Sequence, residues 1–423
     1  MIVEGSKKKL LFIYSHIPWP IKMGIDARVI NLLNSLSKKF EVDLVCKVQS
    51  KDKLNSISEI KKYCRNVEVL LSPNRKSNLH RLGYKVLFFL SFLFKGTPSV
   101  LFYNNLSEIK KKILNLVRNN HYDIVFFEYW FWEKKLIQAC NGLRVIDAND
   151  VQFIREGSIR EKKSKILFKP FTRFQMSRYM RKEVGTLNLF NLIIVTTETD
   201  KKILDTYLDP QRDTVVFPTG VDIDEFVPRT KEPEEDILVF YGAMNSLINI
   251  DGVLYLYKEI MPLIWNKRKD VKLMVLGSNP SEKVIALTSD PRVTVTGYVE
   301  DVRDYLAKGK VVILPLRFAY GHRGRLFEIM AMGIPSVVTP KAIAGMELKN
   351  GEGLLIEESP HAIAQAVLMI LDKKIYAEEL RMKARKIAKE RFSNQATYNR
   401  LTDSLFEYSK RMEMRSNEIP LRG

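Results

Sequence analysis

Cysteine and histidine are both scarce in this chain of 423 residues, with three of the first (Cys46, Cys64, Cys140) and five of the second. So few thiols in a chain of this length do not form a disulfide framework, and no spacing among cysteines and histidines matches a zinc site. A reducing, cytosolic setting and no protein metal are expected. Long apolar runs are also missing. The longest, Val86 to Phe94 around Ser91, is too short to cross a bilayer. The start is polar and basic from Met1 to Lys9, and the apolar stretch after it is broken by His16, Pro18, Trp19 and Pro20. A secretory signal is therefore not expected.

Positive charge is in excess, with 68 lysines and arginines against 49 acidic residues and a net charge of +19. Such a balance asks for an anionic partner. The excess is uneven: between Lys61 and Lys95 only Glu68 is acidic, and the bases there flank the cluster Leu87-Phe88-Phe89-Leu90. A second basic stretch, Arg160 to Lys182, interleaves Ile166, Leu167, Phe168, Phe171, Phe174 and Met176. Bases mixed with Phe and Leu suit an anionic membrane surface better than nucleic acid, because apolar groups enter the acyl boundary while charges meet headgroups. The other reading of each stretch is an amphipathic helix whose apolar side is core. Hydrophobic residues make up 46% of the chain, ample for packed domains, and the length suggests two or three of them.

Short, nearly continuous apolar runs alternate with helical periodicity along the chain, the pattern of parallel sheets covered on both faces. The first series of strands is expected at Lys9 to Tyr14, Val42 to Cys46, Val67 to Leu71, Asp123 to Phe127, Arg144 to Asp147, Leu192 to Thr196 and Thr214 to Phe217. The pattern restarts after the charged, proline-containing segment Arg229 to Asp236, read as a hinge. The second series is Ile237 to Tyr241, Lys272 to Leu276, Val293 to Thr296, Val311 to Leu314, Ser336 to Thr339 and Gly353 to Ile356. The expected fold is α/β, with two tandem doubly wound Rossmann-like domains, residues 1–228 and 237–392, facing a cleft. Residues 393–423 form a C-terminal helix and tail returning to the first domain, and ligand is expected at the carboxyl ends of the strands.

The stretch Gly321 to Pro335 carries most of the chemistry. Backbone N–H groups at a helix start have no intrahelical partner and sit at the positive end of the dipole, so a phosphate is stabilised there. Arg323 and Arg325 add permanent charge. If the helix begins near Gly324, Arg325 and Glu328 lie one turn apart on one face, the guanidinium placed for phosphate and the carboxylate for sugar hydroxyls. The alternative is a buried helix with a solvated basic mouth. Gly-His-Arg-Gly lacks the Gly-Lys-Ser/Thr ending of a nucleotide-hydrolase phosphate loop. Asp222-Ile-Asp224 has carboxylate spacing suited to a divalent metal, but follows a Gly-Val turn and is read as a helix-start element.

Several segments, in order along nearly the whole chain, resemble the GT-B glycosyltransferases, and within them family 4, the group 1 type. They include Pro18-Trp-Pro with Gly24 and Arg28; Asp147-Ala-Asn-Asp150; Gly220-Val-Asp222; Tyr241-Gly-Ala-Met244; Gly297-Tyr-Val-Glu-Asp301; and Arg323-Gly-Arg325-Leu-Phe-Glu328-Ile-Met-Ala-Met-Gly-Ile-Pro335. The resemblance implies a retaining transferase that moves a sugar from a nucleoside-diphosphate sugar to a glycan or polyprenyl-linked acceptor, in cell-surface polysaccharide synthesis, and the basic, aromatic-rich stretches of the first domain lead us to expect peripheral attachment to the membrane. The sugar nucleotide is a substrate, and no cofactor or metal is implied. Catalysis is assigned by the resemblance to Asp150, Arg323, Arg325 and Glu328. Donor binding falls to Gly242, Asn245, Gly297, Tyr298, Val299, Gly321 and Gly324, and acceptor binding to Gly24, Arg28 and Asn149. Three positions depart from the family's pattern: Tyr320 stands eight positions before Glu328 where many members have glutamate, no cation closely follows Gly242, and Asn149 occupies a frequent histidine position. Two other classes are carried beside this one: a sugar-nucleotide epimerase on the same fold, and a catalytically impaired binding or scaffold protein.

Overall fold

The structure is a computed structural model that describes residues 7–19, 24–48, 57–71, 107–163, 169–318 and 324–418. Gly321, His322, Arg323, Tyr320 and the cluster Leu87 to Leu90 lie outside the described residues.

Every strand expected from the sequence is present, each within two residues at either end. The first seven are β1 (Lys8–Ile13), β2 (Phe40–Val48), β3 (Asn66–Leu71), β4 (Ile124–Glu128), β5 (Leu143–Asn149), β6 (Leu192–Val195) and β7 (Asp213–Val216). They form a sheet in the order β3-β2-β1-β4-β5-β6-β7. The next six are β8 (Ile237–Tyr241), β9 (Lys272–Leu276), β10 (Val293–Gly297), β11 (Val311–Leu314), β12 (Ser336–Val338) and β13 (Leu354–Ile356), in the order β10-β9-β8-β11-β12-β13. All pairings are parallel. Each sheet thus reverses its winding once, between β1 and β4 and between β8 and β11. Such a switch point opens a crevice at the carboxyl ends of its two strands.

Alternation along the strands builds the first core. Leu11, Ile13, Val125, Phe127 and Ile146 face one apolar cluster, while Leu10, Phe12, Ile124, Phe126 and Val145 face the other. Period-two alternation with both faces apolar is what a sheet covered by helices on each side requires. The covering helices include α1 (Gly24–Leu36), α2 (Ser107–Asn119), α3 (Gln152–Lys163), α4 (Lys169–Leu187) and α5 (Glu198–Asp205). In the second unit they include α6 (Leu247–Tyr255), α7 (Gly324–Ala331), α8 (Pro360–Asp372) and α9 (Lys374–Ile387). The helix expected from Asp251 to Ile264 begins earlier, at Leu247, and passes through a π-helical turn, Leu256–Ile260, before Met261–Trp265. Pro262 explains the widened turn: it has no N–H to donate, and its ring crowds the carbonyl four residues back.

The chain divides into two units, Met1–Phe217 with Tyr398–Gly423, and Pro218–Thr397. The final helix, α10 (Arg400–Glu418), belongs to the first unit because Tyr398, Leu401 and Leu405 join the cluster of Leu10, Val29 and Phe40. The segment Arg229 to Asp236, read from sequence as a hinge, is instead fastened to the second unit, and the division falls at Phe217. Arg229 donates to the Gly309 carbonyl, and Asp236 accepts from both Arg268 and Lys310. Upstream of it, Val221 pairs with Ser393 while Ile223 and Phe226 pack on the second core. A run of Pro, Glu and Lys looks like a linker in sequence, but here its charges close an ion network at the amino end of β8.

Candidate functional site

In the second unit the switch point is occupied by the end of β8 and the start of α7. The helix is described from Gly324, and on it Arg325 and Glu328 lie one turn apart. Tyr241, the last residue of β8, joins the two. Its hydroxyl donates to Glu328 Oε2 at 3.0 Å, and the Arg325 guanidinium lies 5.4 Å from its ring centroid. Burial pushes the Glu328 carboxyl above its usual range, while the Tyr241 hydroxyl and then Arg325 pull it back. Burial also raises the Tyr241 phenol, so Tyr241 is a hydrogen-bond donor at any physiological pH.

Glycines make this approach possible. A Cβ on Gly242 would lie 2.7 Å from Asn249 Nδ2 and 3.0 Å from Arg325 Nη1. Gly277 sits at φ +155°, where a Cβ would fall 1.8 Å from the Gly242 carbonyl oxygen. Only glycine fits there. The loop between them is held by Gly242 N–H to Leu276 O at 2.9 Å and Met244 N–H to Ser278 O at 2.8 Å. Buried Asn249 donates to the Ala243 carbonyl at 2.9 Å. Arg325 therefore brings its charge beside Gly242, the loop that carries no cation of its own.

The remaining donor residues of the sequence reading are spread around this centre. Asn245 is exposed at the loop tip. Gly297 ends β10 at φ +70° with open space where a Cβ would be, and Tyr298 follows it 78% exposed, while Val299 packs partly on the core. Gly324 would have only ordinary contact with Thr219, so no steric demand explains it.

The first unit's switch point is organised differently. α1 is described from Gly24, and among the described residues no atom lies within 4 Å of where its Cβ would be. Arg28, read from sequence as an acceptor ligand, is 1% exposed and points into the domain. Its Nε donates to Asp147 Oδ2 at 2.7 Å and its Nη2 to the Phe217 carbonyl at 3.1 Å. That assignment is corrected: a buried ion pair cannot reach an external ligand. Beside it Glu128, at the end of β4, is fully buried. Its Oε1 accepts from Asn149 Nδ2 at 2.6 Å, and its Oε2 has no hydrogen-bond partner among the described residues. Burial, then Asp147, pushes the Glu128 carboxyl well above its usual range, with Arg28 opposing.

Asn149 sits at φ +60° where the β5–β6 register shifts, and Tyr129, after β4, is at φ +59°. Left-handed backbone at non-glycine residues is strained, and here the strain recurs at two adjacent strand ends. The Asn149 carbonyl accepts from Thr196 N–H at 2.9 Å and from its hydroxyl at 2.8 Å, which fixes the turn. Asp150 is buried against Gln152 and Arg155, whose Nη1 lies 3.1 Å from its Oδ2. Desolvation raises its carboxyl to about 6 against the pull of Arg155. Behind it Glu183 accepts the N–H groups of Gln152 and Phe153 at 2.9 and 2.8 Å, closing the start of α3 with a carboxylate. Its own carboxyl is pushed up to about 8, chiefly by burial.

Sequence reasoning gave no role to Tyr241, Glu128 or Glu183. Each lies at least 21 residues from its partner, and only the tertiary packing of strands and helices joins them. Among the described residues no group of three or more His, Cys, Asp or Glu side chains is arranged to hold a metal. Asp222 Oδ1 instead accepts the N–H groups of Asp224 and Glu225, both at 3.0 Å.

Comparison with known proteins completes the description. Residues 235–373 match the family model described as Glycosyl transferases group 1. The structure resembles sucrose-phosphate synthase from Thermosynechococcus elongatus, with a TM-score of 0.65 and 17% identity over 95% of this chain and 100% of that one. It resembles Anabaena HepE in complex with UDP and glucose, with a TM-score of 0.64 and 13% identity over 94% and 99% of the two chains. A third likeness is to WaaG, a glycosyltransferase involved in lipopolysaccharide biosynthesis, with a TM-score of 0.60 and 13% identity over 93% and 98%. No curated protein sequence matches the chain. These likenesses establish the fold as GT-B, and within its second unit residues 235–373 match the model of the group 1 glycosyl transferases.

Proposed function

We propose that this transferase moves a sugar, with retention of anomeric configuration, from a nucleoside-diphosphate sugar to a glycan or lipid-linked acceptor in cell-surface polysaccharide synthesis. The observation that carries the donor half is the grouping of Arg325, Glu328 and Tyr241 at the switch point of the second sheet. A guanidinium and a carboxylate one turn apart match a diphosphate and a ribose diol. One related fold, HepE, supports it, being described in complex with UDP and glucose and with UDP-glucose. The polysaccharide role draws on the likeness to WaaG.

In this reading the bond between the anomeric carbon and the diphosphate oxygen breaks, and the diphosphate leaves with the electron pair. Arg325, with Arg323, stabilises the charge it gains. The acceptor hydroxyl oxygen bonds to the anomeric carbon, and its proton passes to the leaving phosphate. Asn149 can hold a sugar hydroxyl but not transfer its proton, so it positions the acceptor, and Asp150 orients that strand end through Gln152 and Arg155. Calorimetry with UDP-, GDP- and ADP-sugars tests the donor site: Glu328→Ala and Arg325→Ala abolish binding, and unchanged affinity sinks the assignment. NMR of the sugar nucleotide alone separates transfer from epimerisation, since an epimerase alters the sugar without an acceptor.

Membrane attachment belongs to the same reading. On α4, Phe174 is 56% exposed beside the Arg178 guanidinium, 5.7 Å from its ring centroid, and Arg173 and Arg181 are also exposed. An apolar ring among bases fits the headgroup boundary of an anionic leaflet. In flotation, the protein follows vesicles containing phosphatidylserine and not neutral ones; equal behaviour with both removes this part.

A further inference from the structure

We infer that Tyr241 is a positioning residue of the donor site: its hydroxyl sets the ribose selectivity of Glu328, and its ring separately supports Arg325. The inference rests on the donor-site reading above and assigns a role to a residue to which that reading gave none.

Tyr241 closes β8, the strand bordering the switch point, and the two α7 side chains one turn apart meet it on two different parts. The hydroxyl reaches Glu328 Oε2 at 3.0 Å, and the ring faces the Arg325 guanidinium at 5.4 Å. A phenol can only donate to a carboxylate, so this bond favours the ionised, acceptor-only form of Glu328. That form is the one able to accept both hydroxyls of a ribose diol. Burial works in the opposite direction, towards a neutral acid that would offer one acceptor and one donor. With Oε2 anchored, Glu328 also loses rotational freedom about its last torsion, so Oε1 is presented in one direction. The ring acts on the diphosphate half. It lies against a guanidinium that also closely approaches Gly242, where any Cβ would lie 3.0 Å from Nη1. Hydroxyl and ring therefore serve the two ends of one ligand and can be removed separately.

The test uses the full-length protein and calorimetry with three probes: whichever of UDP, GDP and ADP binds best, its 2′-deoxy counterpart, and inorganic pyrophosphate. Tyr241→Phe removes the hydroxyl and keeps the ring. It is expected to weaken the ribonucleotide about tenfold, the worth of a hydrogen bond to a charged group, and to leave the deoxynucleotide and pyrophosphate within about twofold of wild type. Its ribonucleotide affinity also gains a dependence on pH, rising as Glu328 ionises, which a merely structural loss would not produce. Tyr241→Leu, lacking the ring as well, weakens pyrophosphate too. Circular dichroism confirms that both variants are folded. A Tyr241→Phe protein with the wild-type ratio of ribo- to deoxynucleotide affinity overturns the inference, as does one that loses pyrophosphate in proportion. Glu328→Gln separates the two levels. If it abolishes the ribose preference while Tyr241→Phe does not, only the role of Tyr241 falls; if it leaves that preference intact, or if wild type binds none of the nucleotides, the donor-site reading falls with it.

Discussion

Replacing Arg28 by methionine tests whether the first unit's switch point is held by a buried ion pair. Arg28 and Asp147 have side-chain exposures of 1% and 0%, and their atoms are 2.7 Å apart. Glu128, also fully buried, is close enough to feel both charges. Methionine fills much of the volume but leaves the Asp147 carboxylate without its guanidinium beside a second buried acid, and the Phe217 carbonyl without its 3.1 Å donor. Removing one partner of a buried pair costs about 3–5 kcal/mol, a large part of the 5–15 kcal/mol that holds a typical domain together. The exposed pair Lys201–Asp205, at 2.6 Å but with exposures of 33% and 43%, provides the contrast. There Lys201→Ala costs under about 0.5 kcal/mol, because solvent screens it. Urea unfolding followed by tryptophan fluorescence reads the effect, since Trp130 and Trp132 are both buried in this unit. The double variant Arg28→Met with Asp147→Met recovers most of the loss, because the cost lies in the orphaned charge rather than in a missing attraction. A loss below about 1 kcal/mol for Arg28→Met alone, with an unchanged urea slope, refutes the reasoning.

Gly242→Ala places a methyl against Asn249 and Arg325 at 2.7 and 3.0 Å. It is expected to cost about 1–3 kcal/mol of stability by overpacking and to weaken sugar-nucleotide binding by displacing the guanidinium; thermal melts and calorimetry measure the two, and unaltered binding contradicts the geometry. Asp150 gives a pH signature. Burial, against the pull of Arg155, raises its carboxyl from 3.8 to about 6 on folding, so its contribution to stability is fully present below 3.8 and is lost as pH rises through 6. Asp150→Asn removes that slope, at most about 1.4 kcal/mol per pH unit, and urea midpoints across this window that fall equally in both proteins argue against it.

Strand positions were legible in the sequence because apolar runs such as Leu192 to Val195 and Val311 to Leu314 are buried along their whole length. The helical spacing of Arg325 and Glu328 was legible too, since both fall within the apolar helical stretch that ends before Gly333. Arg28 was misread for a physical reason. Local sequence puts it one turn into a helix after a loop, where an arginine is ordinarily solvated, and its mate Asp147 lies 119 residues further on. Only the parallel pairing of β1 with β4 and of β4 with β5 brings the two together. The same holds for Tyr241 and Glu328, separated by 87 residues and joined by the adjacency of β8 and β11. The segment Arg229 to Asp236 was misread because its charges look solvated until Arg268 and Lys310, both later in the chain, are seen to close on Asp236.

The two units share one winding yet treat charge at their strand ends in opposite ways, and this difference bears on what each can recognise. In the first, polar groups are matched internally: Arg28 with Asp147, Asp150 with Arg155, and the Glu183 carboxyl with the open N–H groups of α3. Those groups have little residual field for a charged ligand, and a phosphate at the start of α3 would have to displace a carboxylate already in place. Polar side chains such as Asn149 remain, which bind hydroxyls by directional neutral hydrogen bonds. In the second unit, Arg325 and Glu328 are only half-buried, and Tyr241 touches each without neutralising either. A cation and an anion held apart on one helix face retain their fields for a ligand that itself carries a diphosphate at one end and a diol at the other. On the proposed reading, this charge arrangement suits the first unit to sugar hydroxyls and the second to a charged nucleotide, within each domain's own packing.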